Sequence, residues 1–154
     1  GAGVTEPEGK FSGCFGRAFL PLHPARYAEM LGKKLNANPN VNVWLINTGW
    51  SGGPYGVGSR MKLSYTRAMI TAALEGQLNN VQFDKHPVSG LEMPQTCPNV
   101  PAELLNPRNT WANAAEYDQK ANHLAELFNK NFKQYADGCS EEILAAAPKA
   151  VATA

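Results

Sequence analysis

An α/β fold is predicted by three features of the sequence. Segments with helical apolar spacing alternate with short runs rich in β-branched and aromatic residues. Gly and Pro number 14 and 11 among 154 residues, which breaks the chain into many loops and argues against a plain helical bundle. Hydrophobic residues make up 44%, enough for a packed core rather than disorder. The length suits one domain, by the usual range of roughly 100–200 residues.

The elements follow in order. In residues 1–22, Gly9, Gly13 and Gly16 interrupt an apolar set of Phe11, Phe15, Phe19, Leu20 and Leu22. That mixture predicts a short strand or a packed loop. Pro24 opens a helix, because its missing N–H is no loss in the first turn. Tyr27, Met30, Leu31 and Leu35 give that helix an apolar stripe, and the stretch from Asn36 to Asn40 ends it. Val41-Asn42-Val43-Trp44-Leu45-Ile46-Asn47 carries apolar residues on both faces, the pattern of a buried central strand. A glycine-rich loop runs from Thr48 to Gly58. Arg60 to Ser64 alternates like a short strand. Thr66, Met69, Ile70, Ala73 and Leu74 then line a helix that stops before Gly76. Val81 to Phe83 reads as a strand, and Pro87 to Pro107 as a Pro-rich crossing with short elements. Asn113 caps the longest helix, with Tyr117, Ala121, Leu124, Phe128, Phe132 and Tyr135 as its stripe. Ser140 caps a last short helix, with Glu141 and Glu142 where the dipole favours anions.

Charge excludes several functions. Lys and Arg total 14 against 13 Asp and Glu, a net charge of +1, with no long run of one sign. Bulk attraction to nucleic acid or to an anionic membrane is therefore absent. No run of about 18 apolar residues offers a spanning helix, and the first ten residues hold no signal-peptide core. The chain begins at Gly1 rather than Met, as a processed protein or a piece of a longer one would. Cys14, Cys97 and Cys139 are odd in number and widely spaced, which fits free thiols rather than a disulfide framework or zinc site. Cys14 lies near Arg17, which could lower its pKa.

The glycine-rich loop carries the most chemical information. Gly53-x-x-x-x-Gly58 has the glycine spacing of a phosphate-binding loop, but Ser59-Arg60 stands where Lys-Ser/Thr should follow. A tight turn is the alternative. Arg60 and Arg67 flank the passage into the next helix, where a guanidinium can stack on a base or grip an anion. A solvated or ion-paired role is the plainer reading. Thr66, near the helix start, suits either capping or a ligand contact. His23 suits a cap or packing contact, and His86 and His123 lack a ligand-spaced partner.

Seven strings occur in order. They are Thr5-Glu6-Pro7, Phe11-Ser12-Gly13-Cys14-Phe15-Gly16, Pro21-Leu22-His23-Pro24, Asn47-Thr48-Gly49-Trp50, Gly58-Ser59-Arg60-Met61, Tyr65-Thr66-Arg67-Ala68 and Asn106-Pro107-Arg108-Asn109-Thr110. Together they closely resemble the C-terminal part of the ATP-dependent phosphoenolpyruvate carboxykinase family. The resemblance covers almost the whole chain and weakens beyond about Tyr135.

The resemblance implies the C-terminal portion of a mixed-sheet nucleotide-binding domain. It divides the chain into a lid, loop and strand at 1–22, an α/β body at 23–135 and a tail at 136–154. The family converts oxaloacetate and ATP to phosphoenolpyruvate, ADP and CO2 with Mg2+ and Mn2+, a cytoplasmic step of gluconeogenesis. Its Walker A loop, metal ligands and oxaloacetate-binding residues lie upstream of the matched part. The family's nucleotide contacts fall here on Arg60, Met61 and Thr66, with no catalytic or metal-binding residue in the segment. Phe11–Leu20 looks like the family's mobile lid, with Gly13 and Gly16 as flexible points. The segment around Pro54-Tyr55 follows a longer version of the loop. ATP, oxaloacetate and the remainder of a parent chain are the implied partners. The segment alone is expected to be inactive. The alternative is a stand-alone, non-catalytic nucleotide-binding or regulatory module. A Walker A loop encoded upstream would separate the two.

Overall fold

In the computed structural model, residues 3, 11–12, 16–47 and 49–151 are described. Thr5-Glu6-Pro7, Gly13, Cys14 and Thr48 lie outside them. Contacts divide the chain into two units, residues 1–42 with 127–147, and residues 43–126 with 148–154.

In the first unit, α1 (Pro24–Asn36) begins as the sequence predicts. His23 caps it, Nδ1 accepting from the Ala25 N–H at 3.3 Å. The same ring packs edge-on against Tyr135, with centroids 6.1 Å apart. His23 therefore caps and packs at once. Gly138 allows this approach, because a Cβ there would lie 3.0 Å from the Ala25 Cβ. Arg17–Phe19 forms a single 3-10 turn. Phe11 packs edge-on against Phe128, with centroids 5.3 Å apart. Met30 and Leu31 of the expected α1 stripe remain exposed.

The second unit is built around α2 (Leu63–Leu74). Its buried face is Tyr65, Ala68, Met69, Ala72 and Ala73, packed with Leu78, Cys97 and Val100. Ile70 and Leu74, expected on that face, point outward. The helix is apolar on several sides, so spacing alone could not choose among them. Gly76 ends it as predicted, at φ +71°. The Gln77 N–H donates to Ala72 O at 2.9 Å and the Gly76 N–H to Ala73 O at 3.4 Å, the two bonds of a Schellman close. Downstream, Pro98 and Asn99 (φ 61°) turn the chain so that Cys97 and Val100 enter the core.

The sheets are two short antiparallel hairpins. β1 (Trp50–Ser51) pairs with β2 (Ser59–Arg60), and β3 (Phe83–Lys85) pairs with β4 (Glu92–Pro94). The mixed α/β content expected from the sequence is present, but the central strand is not. Residues 41–47 have no strand assignment, and Val41, Val43 and Leu45 are exposed. A buried strand needs neighbours on both edges, and the described residues supply none beside it. Trp44 anchors the stretch, stacked on Phe83 at 6.2 Å and packed on the core. The segment expected as Arg60–Ser64 strand is divided between β2 and the start of α2.

α3 (Ala114–Phe132) is capped by Asn113, whose Oδ1 accepts from the Ala115 N–H at 2.9 Å. Its α-helical part ends before Tyr135, which lies in a 3-10 turn, Lys133–Gly138. α4 (Glu141–Ala145) follows the predicted Ser140 cap. Beyond it, the chain returns to the second unit. Asn122 bonds both ways with the Val151 backbone, at 2.7 and 2.9 Å.

His86 joins the β3–β4 hairpin to α3. Its Nδ1 accepts from the N–H groups of Val88 (3.3 Å) and Ser89 (3.1 Å). The ring proton is therefore on Nε2, which faces Tyr117 Oη at 2.7 Å. Burial holds the His86 pKa below its ordinary value. The unfolded chain then binds the proton first, so His86 stabilises the fold fully above its unfolded pKa of about 6.5. That contribution falls as pH drops through 6.5 toward the lower folded value. Urea midpoints of the 154-residue chain should decline between about pH 7.5 and 5.5. His86→Gln should flatten the decline.

Candidate functional site

The glycine-rich loop closes the β1–β2 hairpin, which pairs Trp50 with Arg60 and Ser51 with Ser59. The N–H groups of Val57 and Gly58 both donate to Pro54 O, at 3.0 and 2.9 Å. The Gly52 N–H donates to Thr110 Oγ1 at 3.0 Å. These donors, which a phosphate cradle would need, are already committed. The glycines serve internal packing instead. A Cβ at Gly58 would collide with the carbonyl oxygens of Gly53 and Ser51. The loop also leads into a strand rather than a helix N-terminus. The geometry is that of a tight turn, not a phosphate loop.

Arg60 is exposed, with its guanidinium 5.9 Å from the Trp50 ring centroid. Trp50 is buttressed edge-on by Tyr55, with centroids 5.5 Å apart. Tyr55, Trp50 and Arg60 thus lie in a row across the hairpin. Among the described residues Arg60 has no carboxylate within ion-pair distance. Met61 is half-buried, and its N–H donates to Gly49 O at 3.0 Å. Gly49 is held in turn by Asn47 Oδ1 at 2.8 Å.

Thr66 does not cap α2. Lys62 is the N-cap, so Thr66 stands one turn inside the helix. Its side chain is 5% exposed, and Oγ1 has no hydrogen-bond partner among the described residues. A buried hydroxyl left in this state costs about 1–3 kcal/mol, which makes it unusual in a native fold. The three predicted site residues are thus close in sequence but different in setting: an open guanidinium, a half-buried Met and a buried hydroxyl. Arg67 is exposed.

A second layer holds the hairpin. Thr110 closes the 3-10 turn Pro107–Thr110, its Oγ1 donating to Pro107 O at 2.7 Å. Asn106 caps that turn through Arg108 N at 3.2 Å. Arg108 forks onto Asp118 of α3 at 2.8 and 2.9 Å. The Arg108 hydrogen bond holds Asp118 below the usual carboxylate range. Sequence patterning alone does not single out Trp50, Tyr55, Thr110 or Asp118. The only available signal was that Trp50 and Arg60 flank the same loop at hairpin-compatible positions.

Other candidates have ordinary settings. A cleft of about 500 Å³ beside the loop is lined by Pro54, Val57, Trp111, Lys120 and His123, and by none of the three predicted residues. Asp84 accepts from Gln95 at 2.8 Å. Cys97 is a buried free thiol whose pKa burial raises, and Cys139 is also free. Among the described residues no three His, Cys, Asp or Glu side chains cluster as metal ligands. None of their helices is long and apolar enough to cross a membrane.

The chain is similar to known proteins over most of its length. A family model described as Phosphoenolpyruvate carboxykinase matches residues 1–103. Proteins named Phosphoenolpyruvate carboxykinase (ATP) from Christiangramia forsetii and Flavobacterium johnsoniae are each 60% identical over 147 residues. Each alignment covers 96% of this chain and 27% of the relative. The protein of that name from Thermus thermophilus is 54% identical over 147 residues, covering 96% of this chain and 28% of its own length. The chain thus spans about a quarter of the length of these curated relatives. With the family model matching well over half of its residues, the chain belongs to the phosphoenolpyruvate carboxykinase family.

Proposed function

We propose that this chain is a segment of an ATP-dependent phosphoenolpyruvate carboxykinase and supplies the adenosine side of its ATP site. The whole enzyme would convert oxaloacetate and ATP to phosphoenolpyruvate, ADP and CO2, in the cytoplasm and in the service of gluconeogenesis. Arg60, Met61 and Thr66 are the assigned contacts. The observation that carries the assignment is Arg60: an open guanidinium, laid on Trp50, with no ion-pair partner among the described residues. One face of a guanidinium can rest on an aromatic ring while the other stacks on a purine, worth about 0.5–2 kcal/mol. Met61 would offer a soft apolar edge. Thr66 Oγ1 lacks a partner among the described residues, and a nucleotide polar group would provide one.

The chain's own residues would bind and orient ATP rather than perform bond-making steps. Mg2+ and Mn2+ would supply charge neutralisation at the phosphates, but the described residues offer no ligand set that fits either ion. Their ligands, the Walker A loop and the oxaloacetate-binding groups are assigned to the portion upstream. Residues Phe11–Leu20 are assigned as the lid, whose closure would exclude water. Of that stretch, Phe11–Ser12 and Gly16–Leu20 are described, Phe11 resting on Phe128.

In a full-length enzyme carrying this segment, Arg60→Ala should weaken ATP binding by about 2- to 30-fold, the range set by one cation–π contact. Isothermal titration with ATP measures it, and an unchanged affinity removes Arg60 from the site. Thr66→Val keeps the side-chain volume and deletes the orphan hydroxyl. It should raise the KM for ATP while leaving thermal stability equal or higher, since no hydrogen bond to a described residue is lost. The purified 154-residue chain should show no metal-dependent ATP consumption. Measurable turnover would contradict the division of labour proposed here.

A further inference from the structure

We propose that Thr110 is a positioning residue of the nucleotide site, fixing the hairpin that presents Arg60 and Met61. The inference rests on the assignment of Arg60 as an ATP contact.

The Thr110 hydroxyl proton is committed to Pro107 O at 2.7 Å. Its lone pairs are therefore free to accept, and the Gly52 N–H fills one at 3.0 Å across 58 positions of sequence. The backbones also touch. Gly52 has φ +80°, and a Cβ there would lie 2.9 Å from the Thr110 carbonyl oxygen. Glycine is needed at this point for both its conformation and its lack of a side chain.

Gly52 directly follows Ser51, the residue of β1 that pairs with Ser59. The next pair outward is Trp50 with Arg60, and Met61 is then tied to Gly49. Movement at Gly52 is thus passed through two rungs of a hairpin to Arg60 and Met61, two of the three assigned contacts. Two-residue strands cannot hold such geometry alone. The anchor itself is firm, because Arg108, two residues before Thr110, is forked to Asp118 on the long helix α3. Thr110 therefore transfers the rigidity of α3 to a hairpin that has little of its own.

The test uses a full-length enzyme carrying this segment, with Arg60→Ala, Thr110→Val and Thr110→Ser compared. Thr110→Val should raise the KM for ATP by about threefold to tenfold, the scale of one lost hydrogen bond. Its kcat and its KM for oxaloacetate should stay within about twofold, because ATP binding alone is affected. Thr110→Ser, which keeps the hydroxyl, should restore the KM for ATP. Amide exchange at Gly52 should quicken in the Val variant and not in the Ser variant. An unchanged KM for ATP in Thr110→Val overturns the inference, as do equal losses for ATP and oxaloacetate that Ser does not rescue. If Arg60→Ala weakens ATP binding and Thr110→Val does not, the positioning role alone fails. If Arg60→Ala has no effect, the site assignment fails and takes the inference with it. Should Thr110→Val not fold, Gly52→Ala presses on the same contact from the other side. It should raise the KM for ATP in the same way, and an unchanged value overturns the inference.

Discussion

A hydrogen bond from a glycine N–H to a threonine hydroxyl, spanning 58 positions of sequence, joins two distant parts of the larger unit. On one side is a hairpin with two residues in each strand, too short to hold its own shape. On the other is a turn forked to a long helix. The loop tip gains its order from that turn and from its own packed glycines. Arg60 gains its resting place from the hairpin register, because only that register sets it opposite Trp50. The exposed guanidinium is thus the end of a chain of contacts that begins in α3.

Much of this architecture was legible where local chemistry decides it. Pro24, Gly76, Asn113 and Ser140 mark helix ends by properties of the single residue: a missing N–H, a tolerance of positive φ, a short oxygen able to cap. The positions they mark are where the helices begin or stop. The buried strand at residues 41–47 failed for the opposite reason. Its pattern of Val, Trp, Leu and Ile states what the side chains need, but a strand also needs partners that composition cannot supply. On α2, Thr66, Met69 and Ala73 lie on the packed face as expected, whereas Ile70 and Leu74 do not, because an all-round apolar helix leaves its orientation to its neighbours. For the site, the positions of Arg60, Met61 and Thr66 came from resemblance. Their settings came only with tertiary contacts, and no periodicity could place Thr110 beside Gly52.

The apolar groups left open have a common character. Met30 and Leu31 lie on one helix, Leu74 at the end of another, and Val41, Val43 and Leu45 recur at strand spacing. Buried apolar residues among the described ones are mostly small or medium, with Leu78 the largest. Regularly spaced exposed apolar rows are the kind of surface that association covers. The chain also spans about a quarter of its relatives' length. Both facts bear on stability, since less apolar area is removed from water than the sequence is able to bury.

The span of the Gly52–Thr110 contact also sets its entropic cost. Capped helices and short hairpins draw on neighbours in sequence and can form within microseconds. A contact between positions 52 and 110 carries a larger loop-closure entropy cost than either of these. The Trp50–Arg60 pair spans only ten positions, so its formation is local. What the longer contact supplies is persistence: a pair that is easily made locally is held in place by one that is costly to close.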